Sequence, residues 1–214
     1  MKPVAVDASF HGSFYSGDSY IVLHTYERAS ALAWDVHYWL GSETSQDESG
    51  VAAYKTVELD DSLGGAPVQH RECEGHESPL FCSYFKALGG LRYLEGGVAS
   101  GFNHVERDSY DTVLLQIKGR RNARTKQVPL AASSLNQGDV FILDAGLKLF
   151  LWTGSSANHH EKGKGAQVLA SIRNARGARP EIVIMDDEPD NADFWSTLGG
   201  SASDVQSAGD AGDD

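Results

Sequence analysis

The sequence predicts an α+β protein built from two copies of one domain, each a central mixed sheet flanked by one long and one short helix. Three observations carry this. The order of local signals repeats: "SGDSYIVLHT" (16–25) and "VHYWLGS" (36–42) lead into a helical pattern, and "QGDVFILDAG" (137–146) and "KLFLWTGS" (148–155) lead into another. The spacing repeats as well: Gly, Ser and Glu follow at two, three and nine residues after Trp39, and again after Trp152. The pairs Gly17-Asp18 and Gly138-Asp139 are 121 residues apart, the period of a whole domain rather than of a solenoid unit.

In the first copy, β-branched and aromatic runs bounded by Gly and Ser predict strands at about 19–25, 36–41 and 68–73. A long helix is expected over about 46–63. A shorter one over 78–88 opens with Ser78 and Pro79 in helix-start positions. In the second copy strands are expected at about 112–118, 139–144, 148–152 and 181–185, with helices at 157–174 and 191–198. Each sheet reads as antiparallel or mixed. The division is 1–98, 99–200 and a tail, 201–214. The linker "GGVASGFNHVERDS" covers 96–109, and the small, acidic end from 199 to 214 is expected to be mobile unless a ligand orders it.

The chain has 214 residues, 18 Lys and Arg against 30 Asp and Glu, and a net charge of −12. That balance argues against nucleic-acid binding, which needs a basic surface. It suits a soluble protein, a divalent cation or a basic partner. Two cysteines, Cys73 and Cys82, are too few for a disulfide scaffold and read as thiols in a reducing compartment. The N-terminus has no signal-peptide pattern, and no run approaches the ~18 apolar residues of a membrane span. A cytoplasmic monomer is expected. The eight histidines show no HExxH or paired-ligand spacing, and no nucleophile elbow or phosphate loop occurs, so an enzyme is not expected.

Acids recur at matching places. Ser45-x-x-Glu48 has the form of a capping box, which satisfies two helix donors. In the second copy Glu161 keeps its offset while the cap becomes Asn158. An Asp from a strand end, a Glu from the first helical turn and nearby carbonyls would form the oxygen cage that Ca²⁺ prefers. Asp60 and Asp61 lie at the far end of the long helix, where the dipole disfavours acids.

Long ordered motifs resemble one known family. "FYSGDSYIVLHTY", "WDVHYWLGSETSQDESGVAAYKTVELDD", "VQHRE" and "GGVASGF" resemble the first repeat of the gelsolin/villin family of actin-severing proteins. "QIKGRRNAR" with "LNQGDVFILDAG" and "LFLWTGSSANHHEK" resembles the second. The resemblance implies calcium ligands. In the first repeat they fall on the Gly17 carbonyl, Asp18, Glu48 and the Val98 carbonyl. A second site there, completed by an acid of actin, falls on Asp60 with the carbonyls of Gly65 and Pro67. In the second repeat they fall on the Gly138 carbonyl, Asp139 and Glu161, with Asp210 or Asp213 as the last ligand. The 46–63 helix resembles the family's actin-binding helix. Val51, Ala52, Tyr54, Val57 and Leu59 are too many for one stripe, so some are expected on the surface with Asp60 and Asp61.

The run "KGRRNARTK" (118–126) holds five cations. It reads either as a charged strand edge or, by the resemblance, as a filament-side contact through Arg120, Arg121 and Arg124 that also binds phosphoinositides, with Lys118. The family's other lipid segment retains only Lys86 and Arg92. The resemblance also implies a further strand ahead of the matched region; about 16 residues precede Gly17-Asp18, so that strand is expected to be absent. The positions of a disulfide known in secreted relatives are Val140 and Thr153, in keeping with a cytosolic form. The expectation is a calcium-regulated protein that binds actin monomer and filament, severs filaments and caps barbed ends. The alternatives are capping or sequestering without severing, and a phosphoinositide-dependent scaffold.

Overall fold

A computed structural model of the chain describes residues 3–97, 110–186 and 188–208. The described residues form two compact units. One holds 3–5, 13–85 and 93–97; the other holds 110–208 together with 6–12 and 86–92. The boundary expected at 98/99 lies outside the described residues, as does most of the linker.

In the first unit β2 (Ser19–Arg28) pairs antiparallel with β3 (Ala31–Leu40), and β3 pairs parallel with β4 (Val68–Cys73), so the sheet is mixed. The short strands β1 (Ser13–Tyr15) and β5 (Arg92–Leu94) are neighbours, with the Ser16 amide on the Leu94 carbonyl. β1 falls on the start of the motif "FYSGD", and its three residues are too few to show a period. Helix α1 (Gln46–Ser62) packs on β2 and β3 through Ala52 and Thr56. Helix α2 (Pro79–Tyr84), capped by Ser78, ends earlier than expected and gives way to a 3-10 turn, Lys86–Leu88. Phe14, Trp39, Phe81 and Phe85 form an aromatic core, with Phe14 centred 4.9 Å from Trp39 and 5.4 Å from Phe85. No disulfide joins Cys73 and Cys82.

The second unit is a sheet in the order β7-β6-β8-β9-β10: β6 (Val113–Lys118), β7 (Arg124–Val128), β8 (Val140–Asp144), β9 (Lys148–Thr153) and β10 (Glu181–Ile184). β10 joins β9 in parallel and the other pairs are antiparallel. β8 is buried on both faces, which explains its unbroken apolar run. Helix α3 (His159–Ala175) turns Val168, Leu169 and Ile172 inward. Helix α4 (Ala192–Leu198) adds Phe194 and Leu198 to a cluster with Leu114, Phe141, Leu143 and Phe150. Val140 and Thr153 stand opposite each other across β8 and β9. Among the described residues no helix is long and apolar enough to cross a membrane.

Ala202–Asp204 forms a 3-10 turn, Val205 packs on the cluster, and Gln206 bridges in parallel to Asn136. Gln206 accepts from the Gln137 amide at 3.0 Å and donates to the Leu135 carbonyl at 2.9 Å.

Candidate functional site

The repeated Trp-x-Gly and Gly-Asp pairs meet in space. In each unit the glycine amide after the tryptophan donates to the carbonyl of the aspartate: Gly41 to Asp18 at 3.0 Å and Gly154 to Asp139 at 2.9 Å. A Cβ on Gly41 would overlap the Ser16 carbonyl, and one on Gly154 the Gln137 carbonyl. Glycine is therefore required by close backbone approach. The result is a buried aspartate beside a helix N-terminus. Asp18 is approached by the Tyr20 hydroxyl at 3.4 Å. Asp139 Oδ2 accepts from Gln116 at 2.6 Å and Asn136 at 2.8 Å.

The paired glutamates both close capping boxes, and their settings differ. Glu48 is half-buried; Oε2 accepts from the Ser45 hydroxyl at 2.8 Å and the Ser45 amide at 3.1 Å. These two bonds hold its carboxyl below the ordinary range. Glu161 is 2% exposed. Its Oε2 accepts from the Asn158 amide at 2.9 Å and its Oε1 from the Gly119 amide at 2.9 Å. Capping and metal ligation are compatible, because each carboxylate oxygen has a second lone pair. Among the described residues no three His, Cys, Asp or Glu converge on one point. A cation at either Asp/Glu pair would thus draw on carbonyls as well. Val98, Asp210 and Asp213, expected to contribute, lie outside the described residues.

At the far end of α1, Asp60 has one carboxylate oxygen bonded by the Gln69 amide, while Oδ1 is buried with no hydrogen-bond partner. A buried, unpartnered anionic oxygen is costly, and a cation would relieve it. The Gly65 amide donates to the Asp60 carbonyl at 3.0 Å, folding the Gly65–Pro67 segment back on the helix end. Asp61 is exposed. Along α1, Tyr54 is 63% and Val57 45% exposed, whereas Val51 and Leu59 are half-buried. The helix therefore carries two large apolar side chains outward, as its crowded apolar pattern implies.

The basic run forms the β6–β7 hairpin. Arg120, Arg121, Arg124 and Lys126 are exposed and Lys118 is half-buried, while Thr125 points inward. Lys86 is exposed. Arg92 is not available to a lipid head group, which corrects its assignment. It is 5% exposed and donates to the Leu88 and His11 carbonyls at 3.2 Å each. Burial pulls its pKa down to about 10. A lone arginine in a Gly-rich stretch gives no sign of this in sequence.

Sequence reasoning missed a polar network on the first sheet. His37, fully buried, faces Glu72 at 2.8 Å through Nδ1 and the Tyr84 hydroxyl at 3.2 Å through Nε2. His70 stacks on His37 with centroids 4.4 Å apart and bonds Asp35 at 3.2 Å. The signal was present as two histidines in separate strands, but it needs the β3–β4 register to be read.

A family model described as the gelsolin repeat matches residues 1–82 and 121–195. The chain is 47% identical over 209 residues to cytoplasmic gelsolin from Homarus americanus, covering 95% of this chain and 28% of that protein. It is 48% identical to gelsolin from Drosophila melanogaster, covering 100% and 27%, and 48% identical to villin-2 from Arabidopsis thaliana, covering 94% and 21%. The chain thus spans about a quarter of the length of these relatives. Among solved structures, a Thorarchaeota 2DGel3 complex with rabbit actin matches at a TM-score of 0.39 and 22% identity, over 87% of this chain and 90% of that one.

Proposed function

The chain belongs to the gelsolin/villin family, and on that footing we propose that it is a calcium-regulated actin-binding protein that severs filaments and caps barbed ends. The observation that carries the reading is α1. It turns Tyr54 and Val57 outward and ends in an aspartate whose buried oxygen lacks a donor. An exposed apolar helix face fits a partner groove. Val51 and Asp61 border that face.

The proposal has two gelsolin-like domains, 1–98 and 99–200, with the tail 201–214 behind them. Asp18 and Glu48, with the carbonyls of Gly17 and Val98, would hold one ion. Asp60, with those of Gly65 and Pro67, would hold a second, shared with actin. Asp139, Glu161 and the Gly138 carbonyl would hold a third. Gln206 docks directly before Gly138-Asp139, which favours a last ligand from the following residues, Asp210 or Asp213. Bound Ca²⁺ supplies charge that cross-links an anionic strand end to an anionic helix start.

The residues of the chain divide the work. Arg120, Arg121 and Arg124 dock on the filament side, since guanidinium forks suit carboxylates. Tyr54 and Val57 then enter between neighbouring subunits, and α1 remains as the cap. Lys118 with these arginines, and Lys86 in its own segment, would meet phosphoinositide head groups. The protein acts by binding, with no catalytic residue, as a cytoplasmic monomer on the actin cytoskeleton.

The test is the loss of fluorescence from labelled filaments after dilution, in calcium and in chelator. Rapid loss in calcium alone is expected. Slowed loss would mean capping without severing, and no change in either condition would refute the proposal.

A further inference from the structure

Gly119 opens the turn of the basic hairpin, and both of its backbone polar groups are held by the first turn of α3. Its N–H donates to Glu161 Oε1 at 2.9 Å, and its carbonyl accepts from Asn158 Nδ2 at 3.2 Å. The same two side chains close the helix: Asn158 Oδ1 accepts from the His160 and Glu161 amides, and Glu161 Oε2 accepts from the Asn158 amide. Gly119 has φ of 138°, and a Cβ there would lie 2.9 Å from Ala123 Cα and Asn122 O. The root of the turn is therefore fixed in one conformation open to glycine.

This arrangement has an electrostatic side. Lys118, Arg120, Arg121 and Arg124 crowd four like charges around one short turn, which favours fraying. Glu161 sets a buried anion against the root of that turn. In the first unit the equivalent Glu48 is half-buried, and its carboxylate bonds Ser45, the cap of its own helix.

We infer that Asn158 and Glu161 are positioning residues for the basic hairpin Lys118–Arg124, and that a divalent cation at Glu161 tightens that hairpin. The second clause rests on the calcium reading of Asp139 and Glu161. The two N–H donors use one lone pair on each Glu161 oxygen, leaving the others for a cation. A cation that fixes the carboxylate fixes the Gly119 amide bonded to it. The metal site and the surface that meets anions then share one side chain.

The experiment is amide hydrogen exchange across residues 119–124 of the full chain, with calorimetry on the same samples. Asn158→Ser keeps a helix cap but removes the donor to the Gly119 carbonyl. In chelator it should speed exchange about fivefold, the worth of one net hydrogen bond. Glu161→Gln keeps an acceptor and much of the shape, so it serves if the first variant misfolds; it should loosen the turn and abolish any slowing by calcium. In the unmodified chain calcium should slow exchange severalfold. Unchanged exchange in both variants overturns the positioning role. Calcium bound by calorimetry without slower exchange overturns the coupling and leaves the calcium reading intact. No calcium binding at this site shows that the calcium reading itself has failed, and the coupling falls with it.

Discussion

The Gly154 amide donates to the Asp139 carbonyl at 2.9 Å, and Gly41 stands to Asp18 in the same way. This contact gives the Trp-x-Gly repeat its physical meaning. The glycine lets the strand end lie across the turn that presents the aspartate. Gly154→Ala would force a Cβ into the Gln137 carbonyl, which cannot yield without moving Asp139. A loss of about 1–3 kcal/mol in urea unfolding is expected, the usual cost of overpacking. Calcium affinity of the second repeat should fall with it. A neutral substitution would mean that the close approach is not maintained.

Asp60→Asn tests the far end of α1. The buried Oδ1 has no partner, so the carboxylate is held at a cost. Removing the charge should leave thermal stability unchanged or raise it by up to ~1 kcal/mol, in the pattern of functional sites that trade stability for binding. Calcium enhancement of actin-monomer affinity should drop at least tenfold. Lower stability with unchanged calcium enhancement would make Asp60 structural.

The basic hairpin and Arg92 separate a surface role from a core role. Arg120→Ala with Arg121→Ala should weaken filament cosedimentation and leave monomer binding nearly intact, with little change in unfolding. Arg92→Ala should cost about 1–3 kcal/mol of stability, because the Leu88 and His11 carbonyls lose their donor. Its folded form should bind phosphoinositide vesicles as the unmodified chain does. Equal loss of monomer and filament binding in the double variant would count against the docking role.

The two long helices and the strands that carry Asp18, Asp139, Trp39 and Trp152 were legible because their signals are long and doubled. β1 and β5, three residues each, were too short to show a period. β7 was legible only as one of two readings of the basic run, because Arg124 and Lys126 are exposed while Thr125 is buried. The docked tail rests on a lone apolar residue, Val205, in a polar stretch, and on the Gln206 bridge, which composition cannot reveal. The exposure of Tyr54 and Val57 could be read from crowding on the helix. The burial of Arg92 and the pairing of His37 with Glu72 are matters of tertiary register.

That pairing predicts a pH dependence. Burial lowers the His37 pKa, with the Glu72 bond acting in the opposite sense, so the folded state holds His37 neutral. Burial pushes Glu72 up, but the bonds from Ser78 and His37 outweigh it and hold its carboxyl below the ordinary range. For His37 the unfolded chain binds the proton first. Stability is therefore full above the unfolded histidine pKa of roughly 6.5 and falls as pH drops toward the folded value. One proton limits the slope to about 1.4 kcal/mol per pH unit. The Glu72 contribution is retained in that window and lost only at more acid pH, below its unfolded value of about 4.3. Urea midpoints of the first unit should thus fall between pH 7 and 5.5. His37→Gln, which keeps a polar side chain but does not titrate, should flatten the profile at a lower overall stability. A variant with the same slope as the unmodified chain would move the proton uptake to another group.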